Sequence, residues 1–435
     1  MWFTLGPNTS MNRFSFNRRQ WLGANITYGL PLALCGLKPL ATRAYQSPSE
    51  AIRIAAIGTG GQGASNMGHQ LKNIIAVCDV DRKRLGTAAD RVQKANGRAP
   101  ITVGDYRRIL DNKDIDAVMV STPDHWHARI VVDACEAGKH VYCEKPLTLT
   151  VKEGRAIVNA ARKHKRIVQT GSQQRSGKNF ELACQLTRKG VLGKLSKVEV
   201  GIPNVNFAGP PVADSSAPAE LDYDLWLGPA PKRPFNTKRV HYNFRFFWDY
   251  SGGQMTNFGA HHLDIAQWGL GMDNSGPVSI SGTVTYHPDN WFEVPMSSKV
   301  DYLYPGGIHL VLGQGDNSIK GGTKFIGEKG WIYVSRGVLN ASDKALLGEV
   351  PKEALKADAS LDHHKNWLDC IKSGKLPAAD AEIGHRSATI CHLGNIASRV
   401  KRPIQWDPVK ETIPGDKEAE AMLSRPYRGP WKNPV

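Results

Sequence analysis

Apolar and polar positions follow two different rhythms along the chain. Between residue 50 and residue 170, short β-branched runs are separated by charged stretches of helical length. Residues 52–57, 74–78, 115–120, 140–142 and 167–170 read as strands, and 81–96, 129–137 and 151–164 read as helices between them. Strands alternating with helices are βαβ units, and right-handed crossovers wind them into a doubly wound parallel sheet. The second rhythm starts near residue 195. There 198–201, 278–284, 300–304, 309–312 and 331–334 are strand-like and broken by Pro, Gly and Asp clusters. That pattern predicts an α+β domain with a largely antiparallel open sheet. Residues 204–238 are rich in proline and read as an ordered loop, while helices at about 361–371 and 381–399 close the globule. The expected organisation is an α/β domain over 50–170, a second domain over 171–400 and a polar tail over 401–435.

Residues 1–44 carry five basic side chains and no acid. The pair Arg18-Arg19 precedes an apolar, proline-interrupted stretch ending near Cys35, and Thr42-Arg43-Ala44 offers a small-residue exit. This reads as a Tat-type export signal over 1–46, placing the mature chain in the periplasm or otherwise outside the cytoplasm. Leu34 is large where a lipoprotein cleavage box wants a small residue, which argues against lipidation at Cys35. With 435 residues, 41% hydrophobic and 22% charged, the composition is ordinary for a folded protein. The net charge of +16 includes those five leader cations, and the remaining 16 − 5 = +11 is dispersed rather than gathered in a run. No nucleic-acid module accompanies it, so nucleic acid is not an expected partner. No apolar run reaches the ~20 residues of a spanning helix. The other six cysteines (78, 135, 143, 184, 370, 391) form no C-x-x-C pair. They read as small buried hydrophobes, and no metal centre is expected.

Gly58-x-Gly60-x-x-Gly63 follows a strand and opens a helix, with Gln62 inside the loop, and Asp79 ends the next strand. Glycines permit a tight turn and close backbone approach to a pyrophosphate, whose charge meets a helix N-terminus. An Asp at that offset can bind the adenosine ribose diol. Its carboxylate repels a 2′-phosphate, which favours NAD over NADP, while Arg82, Lys83 and Arg84 temper that preference. Ser121-Thr122-Pro123-Asp124-His125-Trp126-His127 and Cys143-Glu144-Lys145-Pro146-Leu147 each follow a strand, at the edge where ligands collect in such sheets. Lys145 could be a salt-bridged surface residue, but its position suggests a functional amine. Gln173, Gln174, Arg175, Arg245, Trp248, Asp249 and Tyr250 mix Gln, Arg, Asp and aromatic groups suited to a sugar ring and its hydroxyls.

Together with Gly252-Gly253-Gln254-Met255-Thr256-Asn257-Phe258-Gly259-Ala260-His261-His262-Leu263-Asp264, these motifs resemble the Gfo/Idh/MocA family of oxidoreductases over roughly residues 52–399. The resemblance implies a Rossmann domain followed by an α+β domain, and NAD-dependent chemistry on a CH–OH group of a sugar, glycoside or cyclitol. It places Gly58, Gly60, Gln62, Gly63, Asp79, Thr122, Pro123, His127, Glu144 and Lys145 around the cofactor. Proton transfer falls to Lys145 and His261, with His262 near the substrate and Asp264 orienting His261. Family members typically carry an Asp four residues before that histidine. Here Asn257 stands there, and it can position a hydroxyl but cannot accept its proton. The resemblance also implies a homo-oligomer built on the open sheet face. A second activity stays open, that of the exported NAD-dependent glycosidases, which oxidise a sugar transiently and eliminate the aglycone. Their branch departs from Glu-Lys-Pro, so the intact triplet favours the oxidoreductase.

Overall fold

The computed structural model describes residues 51–205, 210–348 and 359–435. The export segment read over 1–46, with Arg18, Arg19 and Cys35, lies outside the described residues. The first sheet is parallel: β1 (Ile54–Ile57), β2 (Ile74–Cys78), β3 (Ile101–Val103), β4 (Ala117–Val120), β5 (His140–Cys143) and β6 (Val168–Thr170), in the order β3-β2-β1-β4-β5-β6. The winding reverses between β1 and β4, and such a reversal opens a crevice above the strand ends. Ile57 pairs in register with both Cys78 and Val120, so the loops after β1, β2 and β4 leave the sheet at one level.

A central parallel strand is covered on both faces, and β1 is buried throughout. Ala55 and Ile57 face a core holding Val118, Val120, Trp126 and Ile130. Ile54 and Ala56 face Met67, Val77, Trp367 and Cys370. The last two come from the helix Ala359–Ser373, so a segment from late in the chain covers one face of the first sheet. The boundary read at residue 170 is therefore crossed by a returning helix. The stretch after residue 400 also packs inward: Trp406, Ile413 and Leu423 are buried, and Trp431 meets Trp126 edge-on at 4.7 Å.

The second sheet contains β7 (Leu195–Ile202), β8 (Ser279–Thr285), β9 (Ser297–Tyr304), β10 (Ile308–Gln314), β11 (Gly322–Gly327), β12 (Gly330–Ser335), β13 (Val338–Ala341) and β14 (Ile404–Gln405). Their order is β13-β12-β11-β7-β10-β9-β8-β14, antiparallel except where β7 meets β10. Period-2 alternation sorts the faces. Val198, Val200, Tyr302, Leu310, Leu312, Phe325 and Ile332 join one core with residues of the helices Gly259–Leu270 and Ala381–Val400. Lys197, Glu199, Lys299, Asp301 and Lys324 lie on the other face. The six described cysteines are free and buried, in keeping with the sequence reading. No helix of the described residues is long and apolar enough to cross a membrane.

Candidate active site

Above the carboxyl ends of β1, β2, β4 and β5 lies a cleft of ≈ 550 Å³. One end is lined by Gly58, Gly60, Gly61, Gln62, Asp79 and Arg84. Gly58 has φ +80, and a Cβ there would stand 2.7 Å from Ser121 O, so the turn from β1 into the helix Gly61–Gly68 accepts no side chain at this position. Gly63 points inward instead, where a Cβ would lie 2.1 Å from Gly58 O, and its absence lets the helix Gly61–Gly68 pack against the loop. No side chain caps that helix N-terminus, which faces the cleft through Gly60, Gly61 and Gln62. Asp79 is braced at the end of β2: its Oδ2 accepts from Thr59 N (2.8 Å) and Thr59 Oγ1 (3.0 Å), and its Oδ1 from Asp81 N (3.0 Å). These groups fit a dinucleotide, with the pyrophosphate at the helix N-terminus and the ribose diol at Asp79. Lys83 turns outward to Glu220 and Arg82 to Ala219 O, whereas Arg84 stays in the cleft, 3.7 Å from Asp81. Replacing Asp79 with alanine is expected to weaken NAD binding about tenfold or more, since hydrogen bonds to a charged group contribute about 1.5–3 kcal/mol. Calorimetric titration with NAD and NADP measures this, and unchanged affinity for both would remove Asp79 from the site.

The other end of the cleft is lined by Asp124, Glu144, Lys145, Gln173, Arg245, Ser251, Asn257, Phe258, His261 and Arg336. Lys145 Nζ donates to Asn257 Oδ1 (2.7 Å) and to Asn257 O (3.2 Å). Asn257 is itself oriented: its Nδ2 donates to Gln254 Oε1 (3.0 Å), and Gln254 Nε2 donates to Asn204 O (2.9 Å). That relay turns the Asn257 carbonyl oxygen toward the lysine. Burial brings the Lys145 ammonium down to about 8, against the opposing pull of Glu144 and with repulsion from Arg245. An Asp at 257 would add a stabilising negative charge, so the amide keeps the amine readily deprotonated. Burial, then the charges of Lys145 and Arg336, hold the His261 imidazole well below its usual range, and its Nδ1 is a buried atom without a partner. Glu144 accepts from Asn66 Nδ2 (2.9 Å) and Lys145 N (3.2 Å), while Asp124 accepts from Ser251 Oγ (2.5 Å).

Several residues singled out in the sequence do not reach the cleft. His127 is buried with Nδ1 on Pro146 O (2.8 Å) and Nε2 on Thr122 O (2.9 Å), so it ties together the two loops that line the cleft. Arg175 is buried against Asp264 (2.8 Å) and Asp273 (2.7 Å), which corrects both its reading as a substrate contact and that of Asp264 as a partner of His261. Gln174, in the amide orientation that satisfies its neighbours, donates to His261 O (3.0 Å) and accepts from Arg336 Nε (3.3 Å). Trp248 is stacked between Arg399 (3.7 Å) and Arg425 (4.0 Å), Asp249 pairs with Arg233 (3.3 Å), and Tyr250 is buried against His125 and Trp226. His262 is buried beside Phe258. Of the substrate-facing set, Gln173 and Arg245 line the cleft; Thr122, Pro123, Glu144 and Lys145 line it as well. Sequence reasoning missed Trp226, Tyr242, Phe244 and Arg336. Trp226 lies in the short helix Tyr223–Leu227, and Tyr242 and Phe244 in the 3-10 helix His241–Phe246, segments with no motif to mark them, while Arg336 sits in a turn between two short strands.

The profile described as "Oxidoreductase family, NAD-binding Rossmann fold" matches residues 52–172, and the profile of the same family's C-terminal alpha/beta domain matches 204–433. The chain is a Gfo/Idh/MocA family protein. Its first domain is the family's NAD-binding domain. Among curated Gfo/Idh/MocA relatives, "Glycosyl hydrolase family 109 protein 1" of Shewanella sp. (strain ANA-3) is 32% identical over 207 residues, or 42% of this chain and 44% of the relative. "Alpha-N-acetylgalactosaminidase" of Shewanella oneidensis is 30% identical with the same coverage, so the match spans less than half of each relative. Solved structures share the Gfo/Idh/MocA fold. The WlbA dehydrogenase from Chromobacterium violaceum, in complex with NADH and UDP-GlcNAcA, has a TM-score of 0.62 at 20% identity, covering 86% of this chain and 99% of that one. The aldose-aldose oxidoreductase from Caulobacter crescentus, complexed with glycerol, has a TM-score of 0.60 at 21% identity, covering 81% and 99%.

Proposed function

We propose that this chain is an NAD-dependent oxidoreductase acting on a CH–OH group of a sugar, glycoside or cyclitol, with Lys145 moving the hydroxyl proton and His261 and Asn257 holding the hydroxyl. The observation that carries the reading is the Lys145 amine, lowered to about 8 and held by Asn257 Oδ1 at 2.7 Å, at the opposite end of the cleft from the glycine loop. Bound NAD would exchange hydride with the substrate carbon. The protein must then supply a base near neutrality for the hydroxyl proton. Two of the three Nζ positions of Lys145 are directed at Asn257, which leaves the third for substrate. His261, kept neutral, can accept or donate a hydrogen bond at the same hydroxyl without adding charge. NAD is preferred over NADP because Asp79 meets the ribose, and because Arg82 and Lys83 are engaged elsewhere.

The active amine is the deprotonated one, so kcat/KM is expected to climb about tenfold per pH unit below 8 and level off above it. Replacing Asn257 with aspartate puts a carboxylate beside the ammonium, which should move that limb upward by about one unit or more. Steady-state pH profiles of the two proteins decide it. A limb that stays in place would remove Lys145 as the titrating base.

The glycoside hydrolase family 109 relatives support a second reading, glycoside cleavage by transient oxidation, elimination and re-reduction at the same site. One assay separates the two. Purified protein given NAD with free sugars, or with p-nitrophenyl glycosides, is followed for nicotinamide absorbance and nitrophenol together. Net nicotinamide reduction supports the oxidoreductase; nitrophenol release without net nicotinamide change supports the glycosidase.

The Arg18-Arg19 leader favours export of an already folded chain. Such a protein would take up its nucleotide before export and regenerate it in place, since slow dissociation accompanies tight binding. The polar outer face of the second sheet is the surface on which a homo-oligomer would form.

A further inference from the structure

Arg245 and Arg336 enter the same end of the cleft as Lys145 and His261, from separate parts of the chain. Arg245 lies in the 3-10 helix His241–Phe246, and Arg336 in the turn between β12 and β13. Many arginines elsewhere are matched to acids: Arg53, Arg155, Arg162, Arg175, Arg233 and Arg402 each stand within ion-pair distance of a carboxylate, while Arg399 and Arg425 donate to backbone carbonyls and stack on Trp248. Among the described residues, neither cleft arginine has a carboxylate at that distance. Neutral groups hold them instead. Arg245 stacks on Tyr242 (4.1 Å) and Phe244 (4.9 Å) and donates to Tyr242 O, while Arg336 lies over Phe258 (5.9 Å) with its Nε on the Gln174 amide (3.3 Å).

The carboxyls at this end are Asp124 and Glu144, and both are already used, by Ser251 and by Asn66 with Lys145 N. Burial pushes both upward, against the pull of Lys145 on each and of Arg245 on Asp124. Lys145 feels the repulsion of Arg245 and of Arg336. The reactive end therefore brings together three cationic side chains, Lys145, Arg245 and Arg336, against two carboxyls, with neither arginine in a close ion pair. The cofactor's own anionic part does not account for these cations, because the pyrophosphate fits the helix N-terminus Gly61–Gly68 at the opposite end. Planar guanidinium groups held open in a cleft match the geometry of a carboxylate or phosphate.

We infer that the substrate is an anionic sugar whose carboxylate or phosphate is bound by Arg245 and Arg336 while the reacting hydroxyl meets Lys145. This rests on the cleft being a sugar oxidoreductase site. The dispersed positive charge of the whole chain favours the approach of such a ligand.

The test uses full-length protein saturated with NAD. Calorimetric titrations with D-glucuronate and D-galacturonate form the carboxylate arm, and glucose 6-phosphate the phosphate arm. Glucose and N-acetylgalactosamine are the neutral controls, and nicotinamide absorbance follows turnover. One anionic sugar is expected to bind at least tenfold tighter than its neutral counterpart, and the arm in which it appears identifies the anion. Arg336→Gln and Arg245→Gln should each collapse that ratio by tenfold or more, and Arg336→Lys should restore part of it. Neutral sugars binding as tightly as anionic ones would overturn the inference, and their turnover would leave the oxidoreductase reading standing. A loss that falls on NAD affinity instead would assign the arginines to the cofactor and also overturn it. If no sugar binds or changes the nucleotide, both readings fall together.

Discussion

Turnover is expected to fall by about 10²-fold or more when Lys145 is replaced by alanine, with NAD affinity kept close to that of the parent protein. The two effects separate because of where the residue sits. Its amine is at the Asn257 end of the cleft, while the glycine loop and Asp79 hold the other end. No neighbour can take over the task unchanged. Asn257 has no basic atom, Glu144 is occupied by Asn66 and the Lys145 amide, and Asp124 is bound to Ser251. His261 could accept a proton, but burial and the nearby Arg336 oppose its charging. Lys145→Met, which preserves most of the volume, distinguishes lost chemistry from a collapsed cleft. Steady-state kinetics beside an NAD titration make the comparison, and parent-like turnover in both variants would end the assignment.

The largest effect on stability is expected from Arg175→Ala. The guanidinium pairs with Asp264 and Asp273, and Asp264 also accepts from Ser387 Oγ (2.5 Å) on the helix Ala381–Val400. The Arg175 and Asp264 side chains are 2% and 0% exposed, so removing the cation leaves a carboxylate in the interior with its charge unmatched. Breaking such a buried pair costs about 3–5 kcal/mol, whereas replacing both partners with apolar groups of similar size costs far less. Denaturant melts of Arg175→Ala and of the double variant Arg175→Met with Asp264→Leu should show the double variant recovering much of the loss. A single variant with an unchanged midpoint would mean that the pair is not buried in solution.

Elements that carry their own hydrophobic pattern were legible in the chain, and elements defined by a neighbour were not. β1, β2, β4 and β5 are short β-branched or apolar runs followed by glycine, carboxylate or lysine motifs, so both the strands and the groups at their ends could be read. β3 is a three-residue edge strand with two exposed positions, and β11 starts at a glycine and carries Lys324 in mid-strand, so neither shows a clear period. The substrate-facing list failed for a related reason. Arg175, Trp248 and Asp249 have the chemistry of sugar contacts, yet their partners, Asp273, Arg399, Arg425 and Arg233, lie far away in sequence and draw them out of the cleft. Arg336 went unnoticed because a lone arginine in a turn has no spacing to announce it. Asn257 was legible as a departure from the family pattern, but its effect on Lys145 needed the contact to be seen.

The helix Ala359–Ser373 that covers the Ile54 and Ala56 face of the first sheet has a consequence for the order of synthesis. A ribosome delivers all six strands of that sheet before Trp367 and Cys370 exist. Until they emerge, Ile54, Ala56, Val77 and Met119 lack their late-arriving cover, and nascent apolar surface of this kind invites aggregation and chaperone binding. The nucleotide domain is first in sequence but among the last parts to be finished, so the chain matures as one piece after its C-terminal segment has been released.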